Sequence, residues 1–275
     1  MANCGSVIYL DPGSALNDLC HGSLKPKQSQ NIMALAGPQG SGKSTASATL
    51  TQSAGGKAVV LSLDDFYLCK DERRNLAEKV SPLFETRGPP GTHDISLLIH
   101  TLEALPTATA DNPVWIPQFD KLTDDRLSKD HWLPITEQPE TILIEGWCIG
   151  AIPEAPFCDA SPINDIEKRD TNNAWRTYQL EQLEGPYRVL WQKIDTFYYL
   201  TPPSFDSVFH WRLQQEAMLR GIPVDALPQE VKNWVRGFIQ YYERLTRAMA
   251  DGGRMPGTVL QLDDARRVIA VNEET

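Results

Sequence analysis

Residues 37–44 form the segment of this sequence whose residue types most directly indicate chemistry. They match the pattern GxxxxGK[ST], and with the next residue they read Gly37-Pro38-Gln39-Gly40-Ser41-Gly42-Lys43-Ser44-Thr45. Glycines allow a backbone to wrap so that its N–H groups point at phosphate oxygens. In such a loop the lysine bridges the β- and γ-phosphates, and the serine hydroxyl is a ligand of Mg²⁺. We therefore expect residues 37–45 to bind ATP, with Lys43 acting in catalysis and Ser44 holding the metal.

The residues on either side support this interpretation of the loop. An apolar run at 32–36 leads into it, and small, helix-compatible residues follow at 43–51. A helix that begins at the loop adds the positive potential of its N-terminus to the phosphate site. The alternative is a glycine-rich turn with a chance lysine, and the strand before and helix after the loop favour the phosphate site.

Acidic residues follow two other apolar runs. Glu145 ends the run at 141–144 and precedes a glycine, so we expect it to hold Mg²⁺ or its waters; the alternative is a surface glutamate. Asp64 and Asp65 end the run at 58–63, where an acid can accept the proton of an attacking hydroxyl. Adjacent strand side chains point to opposite faces, so we favour Asp64 as the base and Asp65 as its structural partner.

The elements that must position these residues alternate along the chain. Near-continuous apolar runs suit buried parallel strands and occur at 32–36, 58–63, 114–116, 141–144, 195–200 and 259–262. Helical patterns occur at 43–51, 95–105, 174–193, 205–220 and 229–250, with an interruption near Gly185-Pro186. This order predicts a doubly wound α/β fold, with a mainly parallel five-stranded sheet and helices on both faces.

The chain length favours one domain. Its 275 residues, 41% of them hydrophobic, suffice for a single large core, so we assign residues 1–275 to one domain. Within it, residues 1–30 are interpreted as an N-terminal arm and about 201–228 as a helical lid region. We expect the proline-containing segment 106–140 to be a long excursion around one strand.

The net charge of −10 limits the choice of partners. An acidic surface repels phosphate backbones and anionic lipid, so we expect no nucleic acid and no membrane partner, and a monomer. The five cysteines are odd in number and lack CxxC spacing, which indicates reduced thiols and a cytoplasmic location. Import into an organelle stays open as an alternative. An anionic ligand needs a local cluster of cations in such a protein.

The segment Asp64-Asp65-Phe66-Tyr67 resembles the P-loop kinases related to uridine kinase, pantothenate kinase and phosphoribulokinase. More closely, the chain is similar to the plant-type D-glycerate 3-kinases. The matching stretches are Gln39-Gly40-Ser41-Gly42-Lys43-Ser44, Leu61-Ser62-Leu63-Asp64-Asp65-Phe66-Tyr67, Arg87-Gly88, Gly91-Thr92-His93-Asp94, Phe119-Asp120-Lys121, Ile144-Glu145-Gly146-Trp147 and Trp211-Arg212-Leu213-Gln214.

The resemblance implies transfer of the ATP γ-phosphate to the 3-hydroxyl of D-glycerate, with Mg²⁺. By position, Asp64 matches the catalytic acid of the wider kinase group and Glu145 its second acidic motif, and Tyr67 joins Asp64 among the expected substrate contacts. Two features depart from the family: its plant members have a longer chain before the loop, and here Pro89-Pro90 stands between Arg87 and His93.

A small anionic hydroxy acid needs cations in its pocket. Arg87, Lys121 and Arg126 are candidates for the substrate carboxylate, since guanidinium groups bind carboxylates in a bidentate manner. His93 is a candidate for a substrate hydroxyl, or else it only fixes its loop. Arg126 has an alternative too, an ion pair with a neighbouring aspartate on a solvated turn.

Two arginines lie on the helical pattern at 205–220. Kinases of the resembling group close a helical lid that brings arginines onto the transferred phosphoryl group. We favour this lid role for Arg212 and, less strongly, for Arg220; the alternative pairs Arg212 with Glu216 on an exposed face. Arg266 and Arg267, after the last strand, are candidates to flank the adenine.

Other functions stay open at this point. A nucleoside or pantothenate kinase of the same fold needs a larger pocket with stacking residues, and it leaves Lys121 and Arg126 without a clear use. An ATP-binding regulatory protein without small-molecule kinase activity belongs to another class. It leaves the expected base and the lid arginines without a purpose.

Overall fold

The computed structural model describes residues 11–23, 31–55, 57–153 and 161–274. Its strands are β1 (Asn31–Ala36), β2 (Ala58–Ser62), β3 (Val114–Ile116), β4 (Phe119–Asp120), β5 (Asp125–Arg126), β6 (Leu133–Ile135), β7 (Thr141–Gly146), β8 (Thr196–Thr201), β9 (Thr258–Leu262) and β10 (Val268–Glu273). Its helices are α1 (Pro12–Ser23), α2 (Lys43–Ser53), α3 (Lys70–Lys79), α4 (Ile95–Ala104), α5 (Asp165–Lys168), α6 (Ala174–Gln182), α7 (Arg188–Trp191), α8 (Phe205–Arg220) and α9 (Gln229–Ala250).

A six-stranded sheet in the order β10-β9-β8-β1-β7-β2 forms the centre of the molecule. The five strands from β9 to β2 are parallel, and β10 pairs antiparallel with β9. The predicted mainly parallel five-stranded sheet is therefore confirmed, with one additional edge strand. The prediction left out that strand, although its residues 268–271 form an apolar run.

Helices cover both faces of this sheet. Along β1, Ala34 belongs to the core on one face and Leu35 to the core on the other, as the two-residue period of a strand requires. The first core contains Trp191 and Tyr242 from the C-terminal half, whereas the second contains Leu16 and Leu50 from α1 and α2. The predicted doubly wound architecture is confirmed.

The ends and insertions of the chain differ from expectation. The predicted arm at 1–30 includes helix α1, where Leu16 is buried and Gly13 lies against Thr49 of α2. Its short apolar pattern was hidden among glycine, serine and proline residues. The rest of the arm, at 1–10 and 24–30, lies outside the described residues.

The excursion at 106–140 holds more than one strand. Two small antiparallel ribbons occupy it, β3 with β6 and β4 with β5. The predicted interruption near Gly185 is present, since this residue has non-helical angles of φ −97° and ψ −106°. Cys69 and Cys148 are free thiols, while Cys4 and Cys158 lie outside the described residues. None of the described helices is long and apolar enough to cross a bilayer.

Candidate active site

The phosphate-binding loop joins β1 to α2 at the carboxyl edge of the sheet. Gly40 and Gly42 have φ angles of 77° and 94°, a left-handed conformation that costs little only in glycine. The loop starts against β7, because the N–H of Gly37 donates to the carbonyl of Gly146 at 3.3 Å. Lys43 Nζ donates to the carbonyl oxygens of Gly37 and Pro38 at 2.7 and 3.0 Å. The predicted strand, loop and helix are thus present.

Glu145 lies next to this loop. The parallel register aligns it with Leu35 of β1 and with Ser62 of β2, so the three strands carry it to the sheet edge. Its buried carboxylate accepts a hydrogen bond of 2.6 Å from the Ser62 hydroxyl. Burial lowers the pKa of Lys43, and the charges of Glu145 and Asp64 oppose that shift, which indicates that both acids lie near the ammonium group.

The oxygen donors fit a magnesium ion held mainly by a nucleotide. Ser44 is exposed in the first turn of α2, and Glu145 supplies one carboxylate. Mg²⁺ is usually bound by one or two carboxylates together with phosphates and water. Among the residues that the structure describes, no three His, Cys, Asp or Glu side chains form a metal-binding cluster. The donor set therefore suits a metal that shares its coordination with phosphates.

Asp64 lies in the short 3₁₀ turn that follows β2. Tyr67 donates its hydroxyl to Oδ1 at 2.7 Å, and Lys121 donates Nζ to Oδ2 at 2.7 Å. Burial raises the pKa of this carboxyl, but Lys121 and the two hydrogen bonds outweigh it and lower the pKa to about 2. The carboxylate is therefore ionised at neutral pH and forms an ion pair with Lys121.

Asp65 has a different environment. Its Oδ1 accepts a hydrogen bond of 3.2 Å from the backbone N–H of Phe119, which ties the turn to β4. Burial raises the pKa of Asp65 to about 6, against the effect of that hydrogen bond. The two neighbouring acids thus point to different partners, as the sequence suggested, with Asp65 in a position that supports the fold.

The loop that carries Arg87 and His93 is a tight turn. Gly88 and Gly91 have φ angles of 118° and 98°, and the Thr92 hydroxyl accepts from the Gly88 N–H at 2.9 Å. Hydrogen bonds from the surrounding aromatic residues hold it. The Trp147 indole donates to the Gly88 carbonyl at 2.9 Å. The turn therefore has a fixed shape, consistent with two prolines inside it.

His93 is buried next to Tyr67, with ring centres 4.7 Å apart. Its Nδ1 lies 2.5 Å from the hydroxyl of Tyr187, and Nε2 has no hydrogen-bond partner among the described residues. Burial lowers the pKa of His93 to about 3, so the ring is neutral at physiological pH. The Tyr187 hydroxyl joins His93 to the Gly91 N–H, so His93 helps to fix its loop, as the alternative held, and its contact with a substrate stays a prediction.

Arg87 reaches from this loop to the β4–β5 hairpin. It forms an ion pair with Asp124, and its guanidinium carbon lies 5.5 Å from the centre of the Phe119 ring. Arg73 also pairs with Asp124, at 2.9 Å. Since Lys121 belongs to the same hairpin, these contacts set where its ammonium group lies relative to Asp64.

Arg126 is engaged elsewhere. Its guanidinium pairs with Glu72 and with Asp94, both at 3.2 Å. It borders a separate cavity of about 630 Å³, which Trp115 and Trp132 also line. The ion-pair alternative is closer to what is observed, although the partners are not the neighbouring aspartates. We therefore leave Arg126 out of the candidate site.

Arg212 and Arg220 share one partner. Both pair with the buried carboxylate of Glu216, one turn away on α8. The guanidinium of Arg212 also lies 5.6 Å from the ring centres of Trp234 and Phe238 on α9. The ion pair weighed as the alternative for Arg212 is thus present, while a role for it in a lid stays a prediction.

Several aromatic residues complete the site, and sequence reasoning gave them no role there. Tyr187 donates to, or accepts from, His93 and receives the Gly91 N–H at 3.1 Å. Tyr242 donates to the Arg87 carbonyl at 3.0 Å and packs edge-on against Trp147. Tyr242 lies within the helical pattern predicted at 229–250, which by itself does not indicate its contact with Arg87. Nothing in the local sequence marks Tyr187, which becomes a partner of His93 through tertiary packing.

Replacing Gly88 by alanine should destabilise the fold by about 2–5 kcal/mol, because a Cβ at this left-handed position collides with the Tyr242 side chain. Chemical unfolding measures this loss. Gly55→Ala is the matched control, since Gly55 also has a positive φ of 61° but nothing within 4 Å of the added Cβ. It should cost only about 1–2 kcal/mol. Equal losses would contradict the packing of Tyr242 against this turn.

The sequence and the fold of this chain are similar to those of known kinases. An uncharacterized kinase of Schizosaccharomyces pombe is 32% identical over 234 residues, covering 79% of this chain and 82% of that protein. The chloroplastic D-glycerate 3-kinase of Arabidopsis thaliana is 29% identical over 258 residues, covering 88% of this chain and 54% of that protein. No family model matches the chain.

A solved structure extends the likeness to the fold. The D-glycerate 3-kinase of Cryptococcus neoformans superposes with a TM-score of 0.70 at 23% identity, over 95% of this chain and 96% of that one. These likenesses to kinases cover most of the chain. They confirm the resemblance indicated by the sequence motifs: the chain belongs to the P-loop kinase family that includes the D-glycerate 3-kinases.

Proposed function

We propose that this protein transfers the γ-phosphate of ATP to the 3-hydroxyl of D-glycerate. One observation carries the proposal: the ionised carboxylate of Asp64 is held between Lys121 and Tyr67, beside the phosphate-binding lysine Lys43. A base, a cation for the acceptor and a cation for the phosphates therefore lie together. Binding of a phosphoryl donor alone does not require the first two.

The nucleotide binds through the loop at 37–45. Backbone N–H groups and Lys43 hold its phosphates, and Ser44 and Glu145 hold the magnesium ion with them. When bound, Mg²⁺ neutralises charge on the β- and γ-phosphates and orients them. Phosphoryl transfer depends mainly on such positioning and charge, because its transition state is loose.

The acceptor hydroxyl attacks the γ-phosphorus opposite the bridging oxygen, and the bond to ADP breaks as the new P–O bond forms. The proton of the hydroxyl passes to Asp64. A carboxylate with a pKa near 2 is a weak base, but this proton becomes acidic once the oxygen bonds to phosphorus. Late proton transfer therefore suits this residue, whose main task is to orient the hydroxyl.

The pocket around Asp64 favours a small anion. Lys121 is more than half exposed, so it can turn toward a carboxylate, and Arg87 approaches from the other side of the hairpin. The free Nε2 of His93 can bind a substrate hydroxyl. Tyr67 and Tyr242 are both buried and lie near Asp64. Two relatives named D-glycerate 3-kinases agree with this acceptor.

Arg212 is the candidate for stabilising the transferred group. Its charge lies near Tyr242 and Arg87. To act, it exchanges Glu216 for a phosphate oxygen, and its charge then offsets the negative charge of the transition state.

An acceptor panel tests the proposal. The purified protein is incubated with Mg-ATP and, in turn, D-glycerate, L-glycerate, pantothenate, uridine and ribulose 5-phosphate, and ADP is followed. We expect acceptor-dependent ADP with D-glycerate, and phosphorus NMR should identify a phosphate ester at the 3-position. ADP with uridine or pantothenate alone would favour the nucleoside or pantothenate kinase alternative. ADP from none of them, with ATP bound, would favour a regulatory protein.

A further inference from the structure

Arg266 contacts the backbone of the phosphate-binding loop. It lies in the short connection between β9 and β10, and its Nε donates to the carbonyl oxygen of Gly40. A terminal nitrogen donates to Gln214 Oε1 at 2.6 Å, and the guanidinium carbon lies 5.2 Å from the centre of the Trp211 ring. Three separate elements therefore meet at one guanidinium group.

The same corner contains a second set of contacts. Gly40 lies so close to α8 that an added Cβ would be 2.6 Å from Cβ of Trp211. The Trp211 indole donates to the Asp264 carbonyl at 2.8 Å, and the Ser207 hydroxyl donates to the Asp264 carboxylate at 2.7 Å. The β9–β10 connection, α8 and the phosphate-binding loop are thus joined independently of Arg266 as well.

The backbone of Arg266 is in an unusual conformation. Its φ of 64° is left-handed, which is unfavourable for a residue with a side chain. Hydrogen bonds hold it there: its N–H donates to the Asp263 carbonyl at 2.9 Å, and the Asp263 N–H donates to the Arg267 carbonyl at 2.9 Å. Such conformations persist where the surroundings enforce them, and they concentrate at functional sites.

The contact with Gly40 has an electrostatic consequence. A phosphate-binding loop must turn its N–H groups toward the anion and its carbonyl oxygens away from it. A cation that binds the Gly40 carbonyl from outside holds that peptide in the required orientation. Its charge also adds to the positive potential of the loop in a protein that is acidic overall.

We propose that Arg266 is a positioning residue for phosphate binding, which fixes the Gly40 peptide and joins it to α8. The inference rests on the nucleotide binding included in the proposed function, but not on the identity of the acceptor. It differs from the adenine-flanking role suggested by sequence, because Trp211 already covers one face of the guanidinium group.

Calorimetric binding of Mg-ATP and of inorganic tripolyphosphate, without acceptor, tests this role. In Arg266→Met, we expect both ligands to bind at least about tenfold more weakly, by similar factors, because the phosphate site itself is altered. Arg266→Lys keeps the charge but has a single donor nitrogen, so its affinity for both ligands should fall less than that of Arg266→Met. Arg74→Met is the control, since Arg74 pairs with Asp71 on an exposed face of α3 away from the loop, and it should bind within about twofold of the original protein.

The outcomes separate the possible roles. Weaker binding of Mg-ATP with unchanged binding of tripolyphosphate would assign Arg266 to the adenine and overturn the proposal. Unchanged binding of both ligands would overturn it as well. If Arg266→Met does not fold, Gln214→Ala removes the exposed partner that orients the guanidinium group, and tripolyphosphate should then bind about threefold more weakly. Unchanged binding in Gln214→Ala would then overturn it. A protein that binds ATP but phosphorylates no acceptor would contradict only the proposed reaction.

Discussion

Replacing Lys43 by alanine should lower kcat/KM by about 10³-fold or more and weaken ATP binding. The ammonium group lies at the mouth of the phosphate-binding loop, 2.7 Å from the Gly37 carbonyl oxygen. Glu145 and Asp64 favour its charged form against the effect of burial. Its loss removes the cation nearest the transferred phosphate, where charge must be neutralised in the transition state.

ADP release and calorimetric ATP binding measure this effect. Lys57→Ala is the matched control, because Lys57 lies at the opposite end of β2, is exposed and pairs only with Glu140 on the surface. It should keep nearly full activity. The thermal unfolding midpoint checks that both variants fold. If the Lys43 variant kept a tenth of the original kcat/KM, the loop would not be the catalytic phosphate site.

Replacing Asp64 by asparagine should keep ATP binding and lower kcat by about 10²–10⁴-fold, the usual contribution of a general base. Asparagine still accepts the hydrogen bond of the Tyr67 hydroxyl, so the site should keep its shape. It cannot take a proton, however, and it leaves Lys121 without its anionic partner. Single-turnover kinetics with Mg-ATP and D-glycerate separate this loss from changes in binding.

Asp65→Asn is the control for this variant. It keeps an oxygen that can accept from the Phe119 N–H, so we expect activity within about tenfold of the original. Near-normal activity of the Asp64 variant with a large loss in the Asp65 variant would move the base to Asp65.

The effect of Asp65→Asn on stability should also depend on pH. Burial raises the pKa of Asp65 from 3.8 to about 6, so the stability that it contributes at low pH is lost as the pH rises through 6. Asparagine should therefore raise the unfolding midpoint at pH 8 but not at pH 4.

The pH dependence of kcat/KM gives a second measurement of the role of Asp64. Its pKa of about 2 predicts no acidic limb from this group above about pH 4. Lys121 favours the ionised carboxylate, so Lys121→Met should raise the pKa of Asp64 and bring an acidic limb to higher pH. An unchanged profile would contradict the pairing of these two residues in the active protein.

The sequence predicted those parts of the fold that local patterns determine. The apolar run before Gly37 and the acid after 141–144 mark strand ends, because buried parallel strands need continuous apolar residues. Helix α1 lacks such a signal and packs against α2. Strand β10, whose apolar run covers residues 268–271, pairs with β9 at the edge of the sheet.

The candidate site was predictable where a motif supplies several functional groups at fixed spacing. It was less predictable where the contacts join residues that are far apart in the sequence. Arg126 pairs with Asp94 and Glu72, which lie 32 and 54 positions away in the sequence. The residues around Arg126 therefore did not indicate these two ion pairs. Tyr187 reaches His93 across 94 positions, a distance over which sequence periodicity gives no information.

The contact of Gly40 with Trp211 also determines the mechanics of α8. A helix held at Trp211 can tilt about that residue, and its end at Gly221 lies about 15 Å away. A rotation of about 10° would move the exposed Met218 and Leu219 by about 2 Å, but the neighbouring Arg212 by far less. In this geometry, delivery of the Arg212 charge depends on an exchange of partners by its side chain, and a swing of the helix mainly changes the shape of the far end.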